Sequence, residues 1–156
     1  MLAAFLGSEL ADLPWQKADT AEDWEKLALR KIAEAENVNS LGHRSLAYDQ
    51  YGYAVECMIK SVIMSREGLN RWPDYDDKPE YYTHGLLALI KSAGLFDILR
   101  QERMTNLRLR RSWLIVKDWK PTRYDTVEPS EVVVRDFGLA IMSEPDGIVA
   151  WLRRHK

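Results

Sequence analysis

Between Leu46 and Met64 the chain reads LAYDQYGYAVECMIKSVIM, a nearly apolar segment interrupted by one polar stripe of Asp49, Tyr53, Glu56 and Lys60. Spacings of four, three and four residues put these side chains on a single helical face. A stronger apolar set, Ala47, Tyr51, Ala54, Val55, Met58 and Val62, repeats with the same period on nearly the opposite side. A helix of this kind is covered over most of its surface and keeps one polar seam.

A chain of 156 residues has room for one domain with a real core, spanning residues 1–156, and is short for two of ordinary size. Its 46% hydrophobic and 29% charged residues are those of a globular protein rather than a disordered one. No apolar run approaches the roughly 18 residues a membrane span needs. The opening MLAAFLGSEL has no basic residue ahead of its apolar part and soon meets Glu9 and Asp12, which argues against a signal peptide. The single cysteine, Cys57, excludes an internal disulfide and lies among apolar neighbours, as a structural thiol does. These features lead to the expectation of a cytoplasmic protein without a membrane partner.

Almost every segment reads as helix. Thr20 and Asp23 have the spacing of a capping box, after which Trp24, Leu27, Ala28, Ile32 and Ala35 follow a helical stripe as far as Asn37. The long second helix is expected from about Arg44 to Glu67, closed by Gly68. Leu69 to Tyr82, with two prolines and four acidic residues, reads as a surface loop of the length that often carries function. Thr83 is placed to cap a short helix from His84 to Ala93. A further helical region from Leu95 to Trp119 can break at Thr105 and Asn106, and Pro121 stops it. Ser130 opens a helix through VVVRDFGLAIM, and Ser143 suits the cap of a last short one. The expected fold class is all-α, an up-and-down bundle of four to five main helices with short extra helices.

The net charge of −2 hides an asymmetry: Arg100 to Arg123 contains eight basic residues against two acidic ones, which leaves the rest of the chain at −8. A positive segment on an acidic body reads first as a solvated arginine face that packs against the acidic side of a neighbouring subunit, and next as a phosphate or nucleic-acid contact.

The order of three pieces carries a family resemblance. YAVECMIKSVI at Tyr53 to Ile63, THGLLALIKSAGL at Thr83 to Leu95 and WKPTRYD at Trp119 to Asp125 together resemble the HEPN superfamily of small helical domains in nucleotide- and RNA-linked systems. With their connections they cover about half of the chain. The resemblance implies a HEPN-like bundle, usually a homodimer, whose later helices help to form a groove at the subunit interface. Many such domains are metal-independent endoribonucleases with an arginine followed four to six residues later by a histidine. His43, His84 and His155 are the histidines here, and none follows an arginine at that interval. Arginine cannot exchange a proton near neutral pH, so the usual cleavage chemistry lacks its proton carrier and no catalytic residue is assigned.

The candidate ligand-binding residues are Glu56, Lys60, His84, Arg108, Arg110, Arg111, Trp119, Arg123 and Tyr124. Glu56 and Lys60 can form a helical ion pair that is structural if it is solvated or lies between helices, and can orient a ligand if it lines a site. His84 can pack at a helix start or transfer a proton. Arg123 and Tyr124 can anchor the last helices, or stack on a base while gripping a phosphate. Of the six tryptophans, only Trp119 is expected to be available to a ligand, the others serving as core or loop anchors. No GxGxxG, GxxxxGK[ST] or GxSxG occurs, no zinc-ligand spacing exists, and the acidic loop at Asp74 to Glu80 lacks the glycine and glutamate of an EF-hand; neither a cofactor nor a metal is expected. The expected function is a non-catalytic HEPN-like domain that binds nucleotide or RNA, or acts as a helical partner in a toxin–antitoxin or nucleotidyltransferase-associated system. The alternatives are a divergent metal-independent endoribonuclease and a dimeric structural scaffold.

Overall fold

The computed structural model describes residues 17–156, which form seven α-helices and one 3-10 turn, with no strand among them. The readings made for MLAAFLGSEL and Trp15 lie outside the described residues. Helix α1 (Ala21–Ser40) starts on the expected capping box: the Asp23 amide donates to Thr20 Oγ1 and the Asp23 carboxylate accepts from the Thr20 amide. A three-residue connection turns the chain into α2 (Arg44–Glu67), and the two helices run antiparallel over the longest interface in the fold. Gly68 ends α2 at φ +63°, the left-handed conformation in which a side chain is strained.

Helix α2 is the axis of the bundle. It touches α1, α3 (Leu86–Ser92), α6 (Glu131–Met142) and α7 (Ile148–Arg154), and from Tyr51 to Met64 every residue except Tyr53 is buried. Its nearly apolar sequence requires this, since each large aliphatic side chain taken from water contributes roughly 1.5–3 kcal/mol. Met58, Ile59, Ile63 and Met64 meet Leu86, Leu89, Ile90, Phe137 and Trp151 in one continuous core.

The remaining helices close the shell. The expected break in the arginine region divides it into α4 (Phe96–Thr105) and α5 (Leu107–Val116), with Asn106 Oδ1 accepting from the Leu109 amide as the cap of α5. Ser130 caps α6 through the Val133 amide. Two expected caps differ. Helix α3 begins only at Leu86, because Thr83 turns its hydroxyl to the Gly85 amide and caps nothing. Ser143 bonds back to the Leu139 carbonyl, and α7 starts after Gly147 instead. The C-terminus is held in place: Trp151 Nε1 donates to Glu102 at 2.6 Å and His155 Nε2 lies 3.1 Å from the same carboxylate, while Arg153 and Lys156 converge on Glu25. No helix among the described residues is long and apolar enough to cross a membrane.

Cys57 sits on the buried face of α2, and burial pushes its thiol up to about 12. Since the thiolate is the reacting species, a disulfide reagent at pH 8 is expected to modify the folded protein at least about a hundredfold more slowly than the urea-unfolded chain. Comparable rates would show that this face of α2 opens to solvent.

Candidate functional site

The four members of the α2 seam each hold a different part of the chain. Asp49 Oδ1 accepts the Thr122 amide at 2.8 Å, which fixes the segment after α5. Tyr53 packs edge-on against His84 and Trp119, with ring centroids 5.6 and 5.1 Å away. Glu56 Oε1 accepts from the Lys60 ammonium at 2.8 Å, and its Oε2 lies 2.7 Å from His84 Nδ1. Lys60 Nζ also rests 4.9 Å from the centre of the Trp24 ring and 5.5 Å from that of Trp72.

Glu56 and Lys60 are 6% and 8% exposed, so the pair is a desolvated one. Taking two ions out of water costs several kcal/mol each, and only close contact with further partners offsets that. Here the second carboxylate oxygen has the imidazole and the ammonium has two aromatic faces. A carboxylate can only accept, so His84 donates through Nδ1, and in the neutral ring Nε2 is then an acceptor on the side away from Glu56.

Two grooves flank this buried carboxylate. The first, about 700 Å³, has Lys60, Trp24, Trp72 and Tyr82 at its base and rim, and Lys26 and Arg30 along its α1 wall. Trp24 and Trp72 meet edge to face at 5.0 Å, and the loop is tied down there by the Trp72 amide donating to Asp19 at 2.8 Å. The second, about 570 Å³, lies between Thr83–Leu87 and Lys117–Lys120 and contains His84 and Trp119. Tyr82 and Thr83, adjacent in the chain, divide the two.

The sequence-derived candidates thus separate. Glu56, Lys60 and His84 form one cluster with Trp119 beside it. Trp119 is only 2% exposed, contrary to the expectation that it is open to a ligand. Its indole lies flat on Gly52, where a Cβ would come within 1.8 Å of the ring, so the missing side chain of Gly52 is what lets it sink in. Arg123 stands over the Tyr124 ring at 5.9 Å, and the Tyr53 hydroxyl, followed by that of Tyr124, raises its guanidinium above the ordinary value. Tyr124 itself is 87% exposed.

Arg108 and Arg111 lie elsewhere, in a groove of about 360 Å³ between α5 and α6 that shares no residue with the other two. They face Asp136, Glu144 and Asp146 across an apolar floor of Ile115, Leu139 and Ala140, while Arg110 projects from α5 outside that lining. Mixed charge of this kind suits a protein contact better than a polyanion. Trp24, Lys26, Arg30, Trp72 and Tyr82 are groove residues that the sequence alone did not single out; Trp72 beside Pro73 in a functional-length loop was the available signal.

No protein-family model matches the chain, and no curated protein or solved structure matches it. Nor could any group of three or more His, Cys, Asp or Glu among the described residues hold a metal ion. The seam itself brings together a desolvated carboxylate, an ammonium, an imidazole and a wall of aromatics, an arrangement suited to binding a flat anionic molecule and orienting a hydroxyl.

Removing Glu56 alone leaves a buried ammonium without its anion. Glu56→Ala is expected to lose about 3–5 kcal/mol in urea denaturation, while Glu56→Leu combined with Lys60→Met stays within about 1 kcal/mol of the parent. A double variant as unstable as the single one would contradict the electrostatic account of the seam.

Proposed function

We propose that this protein is a non-catalytic, HEPN-like helical domain that binds a nucleotide or RNA. One observation carries the reading: the Lys60 ammonium lies at the base of a groove walled by Trp24, Trp72 and Tyr82, with Lys26 and Arg30 above it. Aromatic faces stack on any base at about 1–3 kcal/mol each, and neighbouring cations take the phosphates. Tyr82 is 45% exposed and so has a face to offer, whereas the indoles define the depth of the slot.

Among the described residues the groove has no activated nucleophile. Cys57 is buried with a raised pKa, and the only serine buried on α2, Ser61, donates to the Ala21 carbonyl. Lys60 donates to Glu56 at 2.8 Å and is taken up as the partner of that carboxylate. This supports a binding role over a reaction in that groove.

Titration with AMP, followed by intrinsic tryptophan fluorescence, is expected to show saturable quenching that weakens with salt. Tyr82→Ala is expected to cost about 1–3 kcal/mol of affinity, and Lys26→Ala with Arg30→Ala to weaken binding and flatten its salt dependence. No quenching up to millimolar nucleotide, or binding indifferent to all three changes, would overturn the reading. One observation favours the enzyme instead: His84 is an imidazole held by a carboxylate with Nε2 outward, the arrangement a general base requires. Cleavage of RNA in EDTA that disappears in His84→Ala would replace the binding domain with a divergent metal-independent endoribonuclease.

A further inference from the structure

The face formed by α5 and α6 lies apart from the α2 seam and has a different chemistry. Asn106, the cap of α5, also donates its side-chain amide to Asp146 at 2.7 Å, so the start of α5 is held beside the turn that follows α6. Between the two helices runs the groove of about 360 Å³, with Arg108 and Arg111 on the α5 wall and Asp136, Glu144 and Asp146 on the other. We propose that this groove docks an amphipathic helix of a partner protein, one whose apolar stripe is bordered by carboxylates on the edge over α5 and by cations on the edge over α6.

Both ridges supply apolar surface. Leu107 and Leu114 lie one helical turn to either side of Arg111, and Val132 lies two turns before Leu139, so each pair shares the face of its helix that borders the groove. All four are at least half exposed. Two neighbouring helices leave between them a valley into which a third can pack, its axis about 8–10 Å from theirs. A helix laid there covers these four aliphatic side chains together with the floor of Ile115 and Ala140.

The charges decide what that third helix carries. Among the described residues neither wall neutralises the other: Asp136 is taken by Arg135 at 3.0 Å and Asp146 by Asn106, and no carboxylate of the groove comes within ion-pair distance of Arg108 or Arg111. In water this is tolerated, because exposed pairs contribute little. Once a partner excludes water, the guanidiniums require carboxylates, which they grip through two parallel bonds, and Glu144 requires a cation. A nucleic acid does not fit, since its phosphates would meet the acidic wall. Nor does α5 of a second copy suit the α5 wall, because Leu107–Val116 contains three arginines and no acidic residue.

The test uses the full chain and dye-labelled synthetic peptides of about 20 residues, long enough to hold a helix. Each has the same leucine stripe. One carries glutamates along one edge and lysines along the other, a second lysines along both edges, and a third glutamates along both. By fluorescence anisotropy the mixed helix is expected to bind with a Kd on the order of micromolar, at least about tenfold tighter than either single-sign helix. Arg108→Glu with Arg111→Glu makes both walls acidic and is expected to move the preference to the lysine-edged helix by a similar factor. Circular dichroism checks that these exposed changes preserve the fold. Where the reversal disturbs α5, Arg108→Gln with Arg111→Gln reads the same point by bringing the mixed and lysine-edged helices to equal affinity. Equal binding of all three helices by the parent, binding of none, or tightest binding of a single-sign helix would overturn the proposal, as would a ranking that survives the arginine changes. Light scattering covers the other occupant: a dimer that dissociates in the same variants would give the face to a second copy and overturn the partner helix.

Discussion

A single buried carboxylate organises this molecule. Glu56 lies on the most enclosed helix of the bundle, where an unpartnered ion would be prohibitive, and it is tolerated because Lys60 and His84 both reach it below 3 Å. Each partner brings a segment with it. Lys60 draws Trp24 of α1 and Trp72 of the long loop onto its ammonium, and His84 fixes the chain between that loop and α3. The walls of two grooves are thus set by one charge, and a seam that relieves the burial cost of α2 also shapes the surface above it. Asp49 and Tyr53 extend the same logic toward Thr122 and Trp119.

Much of the frame was legible in the sequence because it is local. The bounds of α2 follow from an apolar run between Gly42 and Gly68, and the caps at Thr20, Asn106 and Ser130 follow from side chains that bond an amide three residues ahead. The residues Glu56, Lys60 and His84 were each legible as candidates, but only the α2 pair was legible as a contact. Glu56 and Lys60 are one turn apart and declare themselves, whereas His84 comes 28 residues later and Trp24 lies on a different helix, so only the tertiary fold brings them together. Thr83 shows how local competition defeats a local rule: its hydroxyl satisfies the nearer Gly85 amide, and the helix starts later than a cap at Thr83 would set it. Trp119 was misjudged because its neighbours in sequence are charged. The decisive residue is Gly52, a glycine in a helix interior, which marks a close approach by another group.

The positive segment has a different meaning once its parts are placed. Arg108 and Arg111 face acidic side chains across an apolar floor, while Lys117, Lys120 and Arg123 lie toward the α2 seam. A charge run that looks uniform along the chain therefore serves two surfaces of unlike chemistry. The HEPN resemblance rests on order and spacing along the chain. The proposed ligand site rests on the seam and the grooves beside it, and either can fail without the other.

The claim on which the rest depends is that Glu56 fixes His84 with the proton on Nδ1. Nitrogen-15 NMR of the imidazoles in the intact protein tests it directly. The account requires the neutral imidazole of His84 to carry its proton on Nδ1, and requires that preference to vanish in Glu56→Gln. A neutral ring with its proton on Nε2, or one indifferent to Glu56→Gln, would contradict it.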